Sequence, residues 1–183
     1  TTNKAQWLIT AAQMQAAGFS AGLITQIGFD VTTKSGTTTI ANLTYSMKAI
    51  TGTAMGATFH TGMQQVFTTT NYNPTANAVN THTLQSPFYW DGQSSIVIEE
   101  CSNNPTNQYG YVNVKYTSGP CLYYYTTNTA QTLTNCSAPT GLYSTSTIPN
   151  IRFTMLGGCR SAREEVVAYI HPKPVVDLGP DIN

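Results

Sequence analysis

The feature that most constrains this chain is the alternation of apolar and polar residues at every second position. Ile27, Phe29 and Val31 are separated by polar or small residues, and the same period returns between positions 40 and 49. Side chains two positions apart lie on the same face of a β-strand, so this period predicts half-buried strands. Gly, Pro and Asn separate about nine such runs, and this spacing is typical of an all-β domain.

We predict an antiparallel β-sandwich, jelly-roll-like, over residues 1–171. The strongest strand is 95–101, because Ile96, Val97 and Ile98 form a run apolar enough for a central position. The turn at 34–36 predicts that the strands on either side of it are neighbours in one sheet, and Pro87 is expected to end the strand before it. Further strands are predicted at 63–69, 79–84, 109–116, 121–126, 148–155 and 166–170, and residues 6–9 are expected to form a buried strand or an anchor.

One short helix is expected near the N-terminus. Thr10 followed by Gln13 forms a capping-box pattern, and residues 11–17 are strong helix formers that stop at Gly18. The fold prediction is therefore a sandwich with a single short N-terminal helix.

The charge balance excludes some classes of partner. The 183 residues carry 8 Lys and Arg against 8 Asp and Glu, and only 9% of residues are charged. Binding to nucleic acid or anionic lipid depends on clustered Lys and Arg, so neither partner is expected. The sequence contains no run of about 18 apolar residues, so no membrane-spanning helix is predicted. The polarity comes instead from Thr, Asn, Ser and Gln, with 11 Tyr, as is typical of a surface protein.

The four cysteines indicate an oxidising compartment. Cys101, Cys121, Cys136 and Cys159 form no CxxC pair, which argues against a zinc ribbon or a redox motif. We predict that they form two disulfides, as in secreted proteins, with buried free thiols as the alternative. Three connectivities are possible, and chain order favours Cys101 with Cys121 and Cys136 with Cys159.

No arrangement of residues predicts catalysis, a cofactor or a metal site. Glu99 and Glu100 are adjacent on a strand and point to opposite faces, so they cannot act as a carboxylate pair, and Glu164 and Glu165 share that geometry. Arg152 is expected to face solvent or to pair with one of the first two glutamates. His60, His82, and His171 lack metal-ligand spacing, and no nucleophile elbow occurs; calcium binding is left open.

Aromatic residues are the strongest candidates for binding. Alternation places Tyr123 and Tyr125 on one face of a strand and Tyr124 on the other. An outward set joined by Tyr109, Tyr111, Tyr116 or Tyr72 would make an aromatic strip for sugars or a neighbouring protein. Cross-strand aromatic packing is the simpler interpretation. Trp90 is interpreted as a core anchor over an Asp-Gly turn, with a sugar platform as the alternative.

Residues 172–183 differ from the rest of the chain. They contain three prolines within nine residues and show no helical period, so we predict a semi-rigid linker into a following domain.

Several segments together resemble a β-sandwich repeat of large secreted and cell-surface proteins of Bacteroidota, the kind found in gliding-motility adhesins and other type IX secretion cargo. The segments are 6–18, 22–29, 87–92 leading to 98–101, 149–153 and 159–163. Residues 175–181 likewise resemble the start of an Ig-like or PKD-like domain. The resemblance implies a secreted, cell-surface location and no shared catalytic residues.

The sequence therefore predicts a noncatalytic extracellular module of a bacterial surface adhesin or filament. Its expected partners are other domains or copies of the same protein. The alternative is a carbohydrate-binding module of a secreted polysaccharide-degrading enzyme, with glycans as the partner.

Overall fold

The computed structural model describes residues 2–35, 39–103, 112–126 and 142–157. Within these ranges the chain forms one helix and ten strands. They are β1 (Thr2–Ile9), α1 (Ala11–Ala16), β2 (Gly22–Lys34), β3 (Ile40–Ile50), β4 (Gln64–Tyr72), β5 (Ala78–Trp90), β6 (Ser95–Asn103), β7 (Val112–Val114), β8 (Tyr116–Thr126), β9 (Tyr143–Pro149) and β10 (Ile151–Gly157). The strand predicted at 166–170 and the linker predicted at 172–183 lie outside the described residues.

Two antiparallel sheets pack face to face, which confirms the predicted all-β sandwich. The six-stranded sheet has the order β4-β3-β6-β1-β8-β9, and the four-stranded sheet has the order β10-β2-β5, with β7 also paired to β2. The chain changes sheets at most of its connections, so neighbouring strands are often distant in sequence.

The predicted central strand is β6, which lies between β3 and β1. Ile96, Val97 and Ile98 have no solvent exposure, because one face of β6 meets the other sheet and its opposite face is covered as well. The predicted buried strand at 6–9 is the end of β1, and Trp7 pairs directly with Ile98.

The helix prediction is also confirmed. The Thr10 side chain accepts a hydrogen bond from the Gln13 backbone N–H, and the Gln13 side chain accepts one from the Thr10 backbone N–H. Gly18 ends the turn with a φ of 85°, a conformation that favours glycine. Met14 anchors the helix to the core.

The predicted pairing of the strands around 34–36 is wrong, because β2 and β3 belong to different sheets. Phe29 of β2 stacks on Tyr45 of β3 across the core, with ring centroids 5.3 Å apart. Alternation shows which side chains face the core. It does not distinguish two strands that are neighbours in one sheet from two strands that face each other in opposite sheets.

Pro87 does not end its strand, contrary to the prediction, since β5 continues to Trp90. The register with β2 shifts here: Ile24 pairs with Phe88, whereas Gln26 pairs with Thr83. Proline lacks the N–H that a regular ladder needs, and an irregularity on an edge strand is a position where this loss is tolerated.

A corner closes one side of the sandwich. The Lys115 backbone N–H donates to the Asp30 carbonyl at 2.9 Å, and the Asn150 N–H donates to the Lys115 carbonyl at 2.7 Å. At this point the chain passes from β7 in the four-stranded sheet to β8 in the six-stranded sheet, and from β9 back to β10. The region predicted as one strand at 109–116 is thus β7 followed by the start of β8, with 109–111 outside the described residues.

Candidate functional site

A cavity of about 570 Å³ lies between the two sheets beside this corner. Its walls combine aromatic and aliphatic side chains with about as many polar groups. Three of its lining residues, Tyr116, Thr145 and Thr147, are exposed, so the cavity opens beside β8 and β9. The lining residues are Asn3, Ala5, Trp7, Phe29, Val31, Ile40, Tyr45, Tyr72, Glu100, Ser102, Val112, Val114, Tyr116, Cys121, Tyr123, Thr145, Thr147 and Pro149.

The space arises from a row of side chains that crosses four strands of the six-stranded sheet. Register places Tyr45 beside Glu100, Glu100 beside Ala5, and Ala5 beside Tyr123. The methyl group of Ala5 is much smaller than its neighbours in the row. It therefore leaves room between the carboxyl group and the Tyr123 ring.

Glu100 is the only charged side chain among the described residues that line the cavity. Burial raises the pKa of this carboxyl from an ordinary value of 4.5 to about 7, although a hydrogen bond with the Asn3 side chain acts in the opposite direction. Glu100 is therefore ionised in only part of the molecules near neutral pH.

Two tyrosine hydroxyls lie near this carboxyl. Burial, and after it the charge of Glu100, raises the pKa of Tyr72 to about 12, and the same two causes raise the pKa of Tyr45. The Tyr72 hydroxyl donates to the Asn80 side-chain oxygen at 2.8 Å. Both hydroxyls thus stay protonated and can serve as hydrogen-bond donors.

Cys121 is a buried free thiol in the cavity wall, so its predicted disulfide is wrong. The strand β1 lies between Cys121 and Cys101. Cys121 is opposite Trp7 and Cys101 is opposite Lys4, and these two residues of β1 point to opposite faces of the sheet, so the two cysteines do so as well. Two strand spacings are about 10 Å, beyond the Cα separation of about 4.4–6.8 Å that a disulfide needs.

The thiol of Cys121 is not activated for chemistry. Burial raises its pKa to about 11, so the nucleophilic thiolate is scarce at neutral pH. Cys101 is disulfide-bonded. Cys136 and Cys159 lie outside the described residues, and their predicted pairing stays a prediction.

A histidine lies in the aromatic cluster that backs the cavity. The His82 ring is 4.6 Å from Tyr72 and 4.8 Å from Phe67, measured between centroids, and its Nε2 atom has no hydrogen-bond partner. Burial lowers the pKa of His82 from 6.5 to about 4, which keeps the ring neutral at physiological pH.

The opposite face of the six-stranded sheet carries the other glutamate of this strand, Glu99, which is buried. The Lys4 ammonium lies 3.1 Å from a Glu99 carboxylate oxygen, and the Gln6 side chain donates to the same oxygen at 2.6 Å. Gln6 also exchanges hydrogen bonds with the His60 backbone, and Lys4 lies 4.9 Å from the Phe59 ring centroid. This network holds the loop containing residues 59 and 60 against the sheet.

The outer face of the four-stranded sheet presents an apolar row. Leu156 pairs with Leu23, and Leu23 pairs with Tyr89, so three large side chains lie side by side on β10, β2 and β5. They are 60%, 39% and 59% exposed, respectively. The next row on this face is polar, because the Gln26 side chain donates to Thr83 and accepts from Thr154.

The predicted aromatic residues occupy different environments. Tyr72 and Tyr123 line the cavity, and Tyr123 stacks on Tyr143 with centroids 5.3 Å apart, so they form no outer strip. The side chains of Tyr124 and Tyr125 lie outside the described part of the chain.

Trp90 has no exposed surface, so its indole cannot serve as a sugar platform. The ring is part of the core, as its preferred interpretation predicted, and its N–H donates to the Ser94 carbonyl at 2.7 Å. Tyr89 is the exposed residue that sequence reasoning missed. Alternation within the triplet 88–90 contained the signal, since it places Tyr89 opposite its two buried neighbours.

Arg152 does face solvent, but its partner differs from the prediction. Its guanidinium binds Asp30 through two nitrogens, with N–O distances of 2.9 to 3.1 Å. Glu99 and Glu100 lie in the other sheet, and Glu99 is on that sheet's far face, so neither glutamate adjoins β10.

Among the residues that the structure describes, no group of three His, Cys, Asp or Glu side chains could hold a metal ion. No helix in the described ranges has the length and apolar character needed to cross a bilayer.

Comparison with protein-family models, curated proteins and solved structures finds no match to this chain. Arguments about function therefore rest on the two surfaces described above, the inter-sheet cavity and the outer apolar row.

Proposed function

We propose that this domain is a noncatalytic contact module of an extracellular surface adhesin or filament. The observation that carries the proposal is the exposed row formed by Leu156, Leu23 and Tyr89 on the outer face of the four-stranded sheet. Exposed apolar side chains clustered on one face are typical of protein contact sites. Since two of the three are leucines, the row suits a protein surface better than a sugar ring.

The partner that fits this row best is a second copy of the domain. The formal net charge is zero and only 9% of residues are charged, so two copies experience little long-range repulsion. An extracellular location is supported by the Thr- and Tyr-rich surface composition and by the disulfide at Cys101.

Sedimentation velocity over a range of protein concentrations tests this contact. The wild-type domain should associate as concentration rises, and the double variant Leu23→Thr with Leu156→Thr should remain monomeric. Val79→Thr is the matched control, because Val79 is 45% exposed on the same face but lies outside the row. A wild type that stays monomeric up to about millimolar concentration would contradict the proposal.

Carbohydrate binding remains the second candidate, and one observation favours it. Tyr89 and the hydrogen-bonded row of Gln26, Thr83 and Thr154 lie on the same outer face, so this face offers an aromatic ring as well as polar groups. A glycan array decides between the two functions. Reproducible binding that is lost in Tyr89→Ala, together with a monomeric wild type, would replace the contact function by sugar recognition.

A further inference from the structure

The cavity between the sheets has the size of a ligand site. Its volume of about 570 Å³ falls within the range of about 300–1,000 Å³ typical of small-molecule sites. More than half of its lining residues carry a polar side-chain atom, so the cavity can receive a ligand that has both an apolar and a polar part. The apolar row proposed for protein contact is on the outer face of the four-stranded sheet, so the cavity is a separate site.

Charge decides which kind of ligand the cavity accepts. Glu100 is the only charged group among the described lining residues, and Lys4 binds Glu99 on the opposite face of the same sheet. The other titratable lining groups are Tyr45 on β3, Tyr72 on β4, and Tyr116, Cys121 and Tyr123 on β8. None of these side chains becomes a cation in any protonation state. His82 on β5 packs against Tyr45 and Tyr72, and burial lowers its pKa to about 4, so it stays neutral while Glu100 titrates.

A carboxylate removed from water is costly unless a positive group accompanies it. The described lining contains Asn3 as a hydrogen-bond partner of Glu100, but it contains no cation. A ligand ammonium group would supply the missing charge, and the surrounding rings of Trp7, Phe29 and the tyrosines attract cations through their negative faces. An anionic ligand would meet only repulsion from Glu100.

We infer that the cavity binds a small molecule that joins an apolar part to one primary ammonium group, with Glu100 as the counter-ion. The apolar part of the ligand lies against Trp7, Val31 and Val114, and the ammonium group lies beside the carboxylate in the gap left by Ala5. Because this pairing needs ionised Glu100, binding strengthens as pH rises through the titration of that carboxyl and weakens below it.

Isothermal titration calorimetry with three probes of similar shape tests the inference: 2-phenylethylamine, 2-phenylethanol and 3-phenylpropionate. At pH 8 the amine should bind at least tenfold more tightly than the alcohol, and the carboxylate should not bind. Equal affinities for amine and alcohol, or no binding of the amine, would overturn the inference.

Glu100→Gln should lower the amine affinity at least tenfold and leave the affinity for the alcohol unchanged. Asp30→Asn is the matched control, since it removes the same charge from the outer face of the other sheet and should bind the amine like wild type. Circular dichroism confirms that both variants are folded. Amine binding that survives in Glu100→Gln would assign the effect to another site and contradict the inference, whatever the outcome for self-association.

Discussion

Glu99 and Glu100 are consecutive residues on one strand, yet their surroundings differ completely. Glu99 is buried with Lys4 at 3.1 Å and receives a further hydrogen bond from Gln6. Glu100, one residue later, points into the cavity beside two tyrosines and has a pKa raised by burial to about 7. The difference lies in what the fold places beside each carboxyl: Glu99 is buried against a lysine, whereas Glu100 is half-buried in the cavity wall with no cation among the described lining residues.

The largest effect on stability is expected from removing the ion pair between Lys4 and Glu99. Lys4→Met removes the cation and leaves the Glu99 carboxylate buried without it, which should lower the free energy of unfolding by about 3–5 kcal/mol. Urea denaturation measures the change. Lys48→Met serves as the control, because Lys48 donates to the Thr61 carbonyl at a more exposed position, and should cost less than about 1 kcal/mol. Equal small losses in both variants would show that the pair at Lys4 contributes little.

Substitution of Glu100, the glutamate with no cation among its described neighbours, should raise the free energy of unfolding at high pH. The folded-state pKa of Glu100 lies above its ordinary value, so its contribution to stability is full below pH 4.5 and is lost as pH rises to about 7. Glu100→Gln has no such pH-dependent loss of stability. Relative to wild type, the free energy of unfolding of the variant should therefore be about 2–3 kcal/mol higher at pH 8 than it is at pH 4. Denaturation curves at the two pH values measure this, and a pH-independent difference would contradict it.

His82 provides a second test in the same measurement, because its effect on stability changes with pH in the opposite direction to that of Glu100. Its folded-state pKa is lowered to about 4, so the stability that it contributes is full above pH 6.5 and is lost as pH falls. Between pH 4.5 and 6.5 the two groups oppose each other, and wild-type stability should change little. In Glu100→Gln stability should fall on acidification, whereas in His82→Phe it should fall as pH rises through the same window.

The smallest effect is expected at an exposed ion pair. Arg152 binds Asp30 with good geometry, but its side chain is 60% exposed, and such pairs contribute about 0–1 kcal/mol. Arg152→Ala should therefore change the free energy of unfolding by less than about 1 kcal/mol in urea denaturation. A loss as large as that of Lys4→Met would mean that burial is not what separates these pairs.

Local patterns in the sequence predict much of the fold. Period-two alternation identifies most of the strands, and the Thr10 and Gln13 pattern identifies the helix. Alternation also predicts that Glu99 and Glu100 point to opposite faces. These features depend on residues within a few positions of each other, and for that reason they can be read without the fold.

The features that define the site depend on contacts between distant parts of the chain. Lys4 reaches Glu99 only because β1 pairs with β6 in one particular register, and Tyr72 approaches Glu100 only because β4 and β3 lie beside β6. The wrong prediction that Cys101 pairs with Cys121 has the same origin, since a third strand inserts between two that are close in sequence. No local pattern records these pairings.

The central claim is that Glu100 is a half-buried carboxyl in the cavity wall that lacks a cation among the described residues around it. Carbon-detected NMR titration of the Glu100 side-chain carboxyl, with its signal assigned by its absence in Glu100→Gln, tests this most directly. The account predicts a titration midpoint near pH 7. A midpoint at the ordinary value of 4.5 would show that the group is solvated or paired, and would contradict both its role in stability and its role as the counter-ion of an ammonium ligand.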